Sequence, residues 1–293
     1  PHNMAFLQTV FSKNQTLSSN YKIIYDSEAL FSLREIERMR LLGKRVSGRE
    51  ERKLINEEME LAKDSLCIVS VSEAESGHFS AYGFKSVYQL GLALDASPTS
   101  NCFDTRKNIL FVGALQDPSS PNTDSIKWFV KEIFPLIQNN LGDGIELIVV
   151  GQTSEETENY ITSKSVKILG KVEDLTSLYN SARLFIAPTR FAAGIPHKVH
   201  EASAHGLPVV ATSLLGKQLG WQHELDILLA DEASSFSDQC TRLYCDKELW
   251  ERLRENALNR IRNESSTAFF SSQLKQIIDY SLSSTSTNGN LNS

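Results

Sequence analysis

The chain has 293 residues, 41% of them hydrophobic, enough to bury one or two ordinary cores. Its 30 Lys and Arg are outnumbered by 36 Asp and Glu, a formal net charge of −6, so the basic field that nucleic-acid binding needs is missing and nucleic acid is not an expected partner. Cys67, Cys102, Cys240 and Cys245 show neither CxxC spacing nor paired histidines, which argues against a zinc site and a disulfide framework and suits a reducing cytoplasm.

Pro1-His2-Asn3 ahead of Met4 reads as an expression-tag scar, and residues 1–20 as that scar plus a polar lead, with no signal peptide. No apolar run approaches the ~20 residues that span a bilayer, which leaves a cytoplasmic protein whose only membrane contact would be peripheral. Lys22–Tyr25 is a strand, followed by a helix over Glu28–Leu42 with apolar residues at helical spacing. Ser47–Lys63 predicts a charged second helix. Leu66–Val71 is a buried strand holding Cys67 as a core residue, and Ser72 with Glu75 forms a capping box for Glu73–Tyr82. Val87–Leu92 is a further strand, and polar Asp95–Lys107 with Pro98 reads as a linker.

A new rhythm begins after the linker. Strands over Asn108–Val112, Ile145–Val150, Val166–Leu169, Leu184–Ala187 and Val209–Ala211 alternate with helices over Asp124–Gln138, Glu155–Ser163 and Asp174–Ala182. That alternation predicts a parallel, doubly wound sheet with its β-to-α loops along one edge, where ligands bind. Asp238–Arg262 reads as one long helix. Ser265–Leu282 is a last helix, and Ser283–Ser293 is polar enough to be disordered.

Phe191–Thr212, FAAGIPHKVHEASAHGLPVVAT, carries the functional signal. It combines a glycine loop, a short helix opened by Pro196, a Gly206-Leu207-Pro208 break and a buried strand. Pro suits a first helical turn because its missing N–H would be unpaired there. The approach through Gly194 and Ile195 would leave backbone N–H groups free to face an anion. Lys198 adds a cation, and Glu201 lies one turn further on the same face, as a nucleotide diphosphate with ribose hydroxyls would require. Alone, Glu201 reads first as a surface carboxylate paired with Lys198, worth only ~0.2–0.5 kcal/mol.

The pattern G-I-P-x-K-x-x-E-A-x-A-x-G-x-P-V-V-A-T resembles the donor-site signature of retaining glycosyltransferases of family four, which have the two-domain GT-B fold. The resemblance implies that Glu201 is the second carboxylate of a Glu-x7-Glu segment and binds the ribose. The first, which approaches the donor sugar, falls on Ala193. Gly113 and Ala114, at the end of a strand, correspond to the family's loop beside the donor phosphates. The cations usual there are absent, and Asn122 and Ser125 could donate hydrogen bonds in their place. Gly170-Lys171-Val172 would meet the nucleotide base, Lys171 among them. His197 could touch sugar or phosphate; His200 and His205 are better explained by packing and pairing. Arg190 is either another diphosphate cation or a surface residue. YDSEALFSLRE and VSVSEAE (Tyr25–Glu35 and Val69–Glu75) are similar to pieces of the family's acceptor half.

The expectation is an α/β, GT-B-like chain in five stretches: the scar and lead at 1–20, a truncated Rossmann-like acceptor-side domain plus linker at 21–105, a nucleotide-sugar-binding domain at 106–263, a crossover helix at 264–282 and a tail at 283–293. Phe269, Phe270, Leu274, Ile277 and Ile278 would form the last helix's contact face. The implied activity moves a sugar, with retention, from a nucleotide-diphospho-sugar to an unidentified glycan, lipid or protein acceptor. No cofactor is implied and, with no Asp-x-Asp pair in the chain, no metal either. No catalytic residue is assigned. The alternative is a catalytically inactive nucleotide-sugar-binding or interaction module; a nucleotide-sugar epimerase has no matching acid-base residues.

Overall fold

The computed structural model describes residues 22–286, together with Thr9. The rest of the 1–20 lead and the tail beyond residue 286 lie outside the described residues. The chain folds into two compact units. Among the described residues the first holds 22–93, Ala193–Ile195 and the last helix; the second holds Leu94–Ala192 and Pro196–Ser266.

The first unit opens with β1 (Ile24–Ser27), α1 (Phe31–Leu41), α2 (Gly48–Glu60), β2 (Cys67–Ser70), α3 (Glu73–Tyr82) and β3 (Val87–Gln89). The strands form a parallel sheet in the order β1-β2-β3. Ser47 caps α2 by accepting from Glu50 N, and Ser72 caps α3 by accepting from Glu75 N. The expected reciprocal half of the capping box is not made. Glu75 is buried and its carboxylate accepts from Gly194 N at 2.7 Å instead. Alternation along β2 sends Ile68 into a cluster with Tyr25, Leu30, Met59 and Phe79, and Cys67 and Val69 to the other face.

In the second unit, β4 (Lys107–Val112), α4 (Pro121–Trp128), α5 (Phe134–Leu141), β5 (Leu147–Val150), α6 (Glu155–Ile161), β6 (Val166–Ile168), α7 (Thr176–Ser181), β7 (Ala182–Ala187), α8 (His197–Ala204), β8 (Val209–Ala211), α9 (Ser213–Leu219) and β9 (Leu228–Leu229) alternate as expected. They build a six-stranded, wholly parallel sheet in the order β6-β5-β4-β7-β8-β9. Its strands are apolar on both faces. Ile109, Phe111, Leu184 and Ile186 pack toward α4, α5 and α6, whereas Leu110, Phe185 and Ala187 pack toward α7, α8 and α9. This is the signature of a doubly wound sheet buried on both sides.

Four sequence expectations change here. The helix expected over Asp124–Gln138 starts at Pro121 and widens into a π turn at Phe129–Ile133. Pro135 has no N–H to return to Lys131, so the ladder loosens just before it. The single helix expected over Asp238–Arg262 is two, α10 (Ala233–Cys245) and α11 (Lys247–Glu264), because Asp246 is extended and caps α11 through Leu249 N. Short α9 and β9 were too brief to leave a periodic pattern.

The stretch Asp95–Lys107, expected as a linker, packs as part of the second unit. Arg106 pulls it in: fully buried, it donates to Asn101 O, Tyr179 O, Ala182 O and Thr99 Oγ1. Burial first, then the charge of Arg254, lowers its pKa to about 10. Arg254 adds Gly206 O and Thr99 O.

The last helix, α12 (Thr267–Ser286), belongs to the first unit and covers the second face of its small sheet. Ile277 packs on Cys67 and Val69, and Tyr280 bonds Ser86 Oγ at 2.6 Å beside Tyr88. The five-residue contact face is corrected: Ile277 is buried, whereas Phe269, Leu274 and Ile278 are exposed and Phe270 is half-buried. The contact runs through Ile277 and Tyr280, roughly one turn apart, so it is narrower than the apolar composition suggested.

Candidate functional site

In the six-stranded sheet the strand order reverses between β4 and β7: β5 and β6 extend to one side, β8 and β9 to the other. Loops leaving the C-terminal ends of two such central strands diverge, and the crevice between them is the ligand-binding position of doubly wound sheets. The loop after β4 carries Gly113 and Ala114 and leads to Asn122 in the first turn of α4. The loop after β7 leads to α8, which carries Lys198 and Glu201.

A hydrogen bond from α8 joins the two. Lys198 Nζ donates to Asn122 Oδ1 at 2.8 Å and stands 5.0 Å from the centroid of Phe111. Burial lowers its pKa to about 8, so the ammonium persists at neutral pH. The surface pairing with Glu201 is not made. Asn122 in turn lies against Gly113, where a Cβ would stand 2.9 Å from Asn122 Cγ. The glycine requirement extends to Gly151: the Gly113 carbonyl passes its Cα so closely that a Cβ at 151 would lie 2.0 Å from Gly113 O. Gly113 N donates to Val150 O, and Gly151 N to Gly170 O, which aligns the loop starts after β4, β5 and β6 along the same edge.

Glu201, half-buried, is one turn behind Lys198 on α8. Its carboxylate faces the buried phenol of Tyr179, whose pKa is raised first by burial and then by Glu201. His205 stacks on Tyr179 with ring centroids 4.6 Å apart and its Nδ1 lies 2.9 Å from Glu201 O, so its partner is the backbone carbonyl rather than the carboxylate. His200 is buried against Trp221, and burial lowers its pKa to about 4. His197, Lys171 and Ala114 are exposed.

Four expectations are corrected. Arg190 is not an available cation: its Nη2 and Nε grip both Asp124 oxygens, at 2.6 and 2.9 Å, over the ring of Trp128. Ser125 is buried and donates to Pro121 O, spent on its own helix. Gly194 does not offer its N–H to an anion, because Glu75 takes it. Gly194 and Ile195 are grouped with the first unit, where a left-handed φ of +82° lets Gly194 pass Glu28; a Cβ would stand 2.7 Å from Glu28 O. Pro196 is the N-cap of α8 rather than its first helical residue, and no side chain caps that end. Phe111, Asp124 and Tyr179 escaped the sequence reading, and Glu75 entered it as a capping residue rather than as the partner of Gly194. A core strand residue, a helix carboxylate and a packed tyrosine carry no local pattern that marks them.

Among the described residues no group of three or more His, Cys, Asp and Glu side chains could hold a metal ion, and no helix is long and apolar enough to cross a membrane.

The family profile described as "Glycosyl transferases group 1" matches residues 106–246, the span from the foot of β4 to the start of α11. This chain resembles the GT-B glycosyltransferases. Its α/β fold, parallel sheets flanked by helices, is theirs. Sucrose-phosphate synthase of Thermosynechococcus elongatus superposes with a TM-score of 0.68 at 15% identity, over 92% of this chain and 71% of that one. Anabaena HepE in complex with UDP and glucose gives 0.66 at 15% identity, over 88% and 71%. Among curated relatives, the Escherichia coli UDP-Gal:alpha-D-GlcNAc-diphosphoundecaprenol alpha-1,3-galactosyltransferase is 25% identical over 194 residues, 61% of this chain and 49% of its own length. An uncharacterized protein in the cps region of Klebsiella pneumoniae is 25% identical over 179 residues, 58% and 45%. The chain thus spans about half the length of the curated relatives it matches.

Proposed function

We propose that the second unit binds a nucleotide-diphospho-sugar at the β4–β7 crevice and that the chain serves a glycosyltransferase that passes the sugar, with retention, to an unidentified acceptor. The observation that carries this reading is the meeting of the Gly113 loop and Lys198 at the point where strand order reverses. A glycine loop lets a diphosphate approach the backbone, and a buried ammonium opposes its charge in surroundings that screen it poorly. Glu201, one turn further along α8, would accept from ribose hydroxyls, and the Gly170-Lys171-Val172 loop would line the base.

In turnover, Lys198 and the uncapped N-terminus of α8 would stabilise charge building on the departing diphosphate. Glu201 would hold the donor in register. The donor is substrate, and the reading needs no cofactor or metal. Because HepE is seen with UDP, a uridine nucleotide is the first to test. Ala193, standing where the resembling family has its sugar-facing carboxylate, favours a second reading, a module that binds the donor without turning it over.

The test is calorimetry of UDP, GDP, ADP and TDP against the wild type and Glu201→Ala. One nucleotide should bind selectively and lose affinity in the variant. Binding by none of them would sink the donor site. Binding without sugar release from the matching nucleotide-sugar in the presence of acceptors would favour the second reading.

A further inference from the structure

Two cations approach the first turn of α4, and they are met differently. Arg190 is gripped by the carboxylate of Asp124. Lys198 is met by the amide of Asn122, two residues earlier on the same turn. Both pairs are half-buried contacts between α4 and the segment that follows β7, and both fix a side chain's direction. They differ in charge. Asp124 cancels Arg190, whereas an amide oxygen orients an ammonium and leaves its charge intact.

We infer that Asn122 is a positioning residue that holds the Lys198 ammonium against the Gly113 loop without neutralising it, so that the diphosphate of the donor is the first anion it meets. The inference rests on the donor-site reading above. The carboxylates of α4 and α8 face elsewhere: Asp124 is spent on Arg190, and Glu201 faces Tyr179. Burial is what lowers the Lys198 pKa. Gly113 completes the arrangement, since any Cβ there would push the Asn122 amide out of its place. Asparagine is demanded by this geometry: aspartate would keep the hydrogen bond but cancel the charge, and a smaller side chain would leave the ammonium unguided.

The experiment uses the near-isosteric Asn122→Asp in the full chain, with two readouts. Competitive labelling of amines across pH measures the Lys198 pKa without any ligand. Calorimetry measures binding of inorganic pyrophosphate and of UDP. Asn122→Asp should raise the Lys198 pKa by at least one unit and weaken pyrophosphate and UDP at least tenfold. Lys198→Ala should weaken them as much, and the double variant no further. Asn122→Ser, which removes the contact without adding charge, should weaken binding by a smaller factor and leave the pKa within half a unit. It also supplies the answer should Asn122→Asp fail to fold. An unmoved lysine pKa in Asn122→Asp, or unchanged pyrophosphate affinity, overturns the inference even if UDP binds. A wild type that binds neither pyrophosphate nor UDP overturns the donor-site reading itself, and the anion role of Lys198 with it.

Discussion

Two glycine loops in this protein each meet a buried ionisable side chain, with opposite results. In the first unit the Glu75 carboxylate accepts from Gly194 N, while Gly194 itself is pressed against the backbone of Glu28. The loop's own N–H donor is consumed, and the contact is a clasp. In the second unit Lys198 reaches the Gly113 loop through a neutral amide, and its charge is not consumed. A glycine loop beside a charge is thus no signature of ligand binding. What separates the clasp from the binding site is what the charged group itself touches: Glu75 bonds the loop's own backbone, whereas Lys198 bonds a side-chain amide beside the loop.

The largest expected effect breaks the open side of this pair. Gly151→Ala puts a Cβ 2.0 Å from Gly113 O at a φ of +140°, and should cost at least about 3 kcal/mol in urea unfolding. Next is ligand affinity without loss of fold. Glu201→Ala should weaken the nucleotide diphosphate roughly 10–100-fold, the worth of hydrogen bonds to a charged group, with an unchanged thermal midpoint. A clasp behaves the other way. Gly194→Ala should destabilise by about 1–3 kcal/mol through its left-handed φ and the contact with Glu28 O.

The smallest effect sharpens the clasp further. Burial raises the pKa of Glu75 above 4.5, and its bonds to the backbone at Gly194 and Leu30 oppose that rise only in part. The folded state therefore holds this proton more tightly than the unfolded chain. Its contribution is complete below about pH 4.5 and is lost as pH climbs through the higher folded value. Glu75→Gln should keep an oxygen for Gly194 N and remove that slope. Thermal midpoints across pH 4 to 8 should fall more in the wild type than in the variant, and parallel curves would show that Glu75 ionises as an ordinary surface acid.

Much of the sheet was legible because its rules are local. Apolar runs such as Ile109–Phe111 and Leu184–Ala187 mark strands buried on both faces, and caps such as Ser47 and Ser72 mark helix starts. Where the signal depends on one side chain breaking a pattern, reading failed. Asp246 divides a helix whose apolar spacing continues on both sides of it. At the site, Gly113 stood out as a glycine at a strand end, and Asn122, Lys198 and Glu201 through the resemblance that the G-I-P-x-K-x-x-E segment carries. Arg190 did not reveal its partner, because Asp124 is 66 residues away in the chain.

The sequence by itself determined the alternation of strand and helix, the parallel α/β class and the segment Gly194–Glu201 as the place to look, since periodicity, caps and turn residues act over a few neighbours. Only the tertiary structure decided which charges are spent. Glu75 and Gly194 stand 119 residues apart, and Lys198 and Asn122 76. A charge's worth depends on the partner and the solvent it finds after folding, and that is settled by strand order and packing rather than by the residues beside it in the chain.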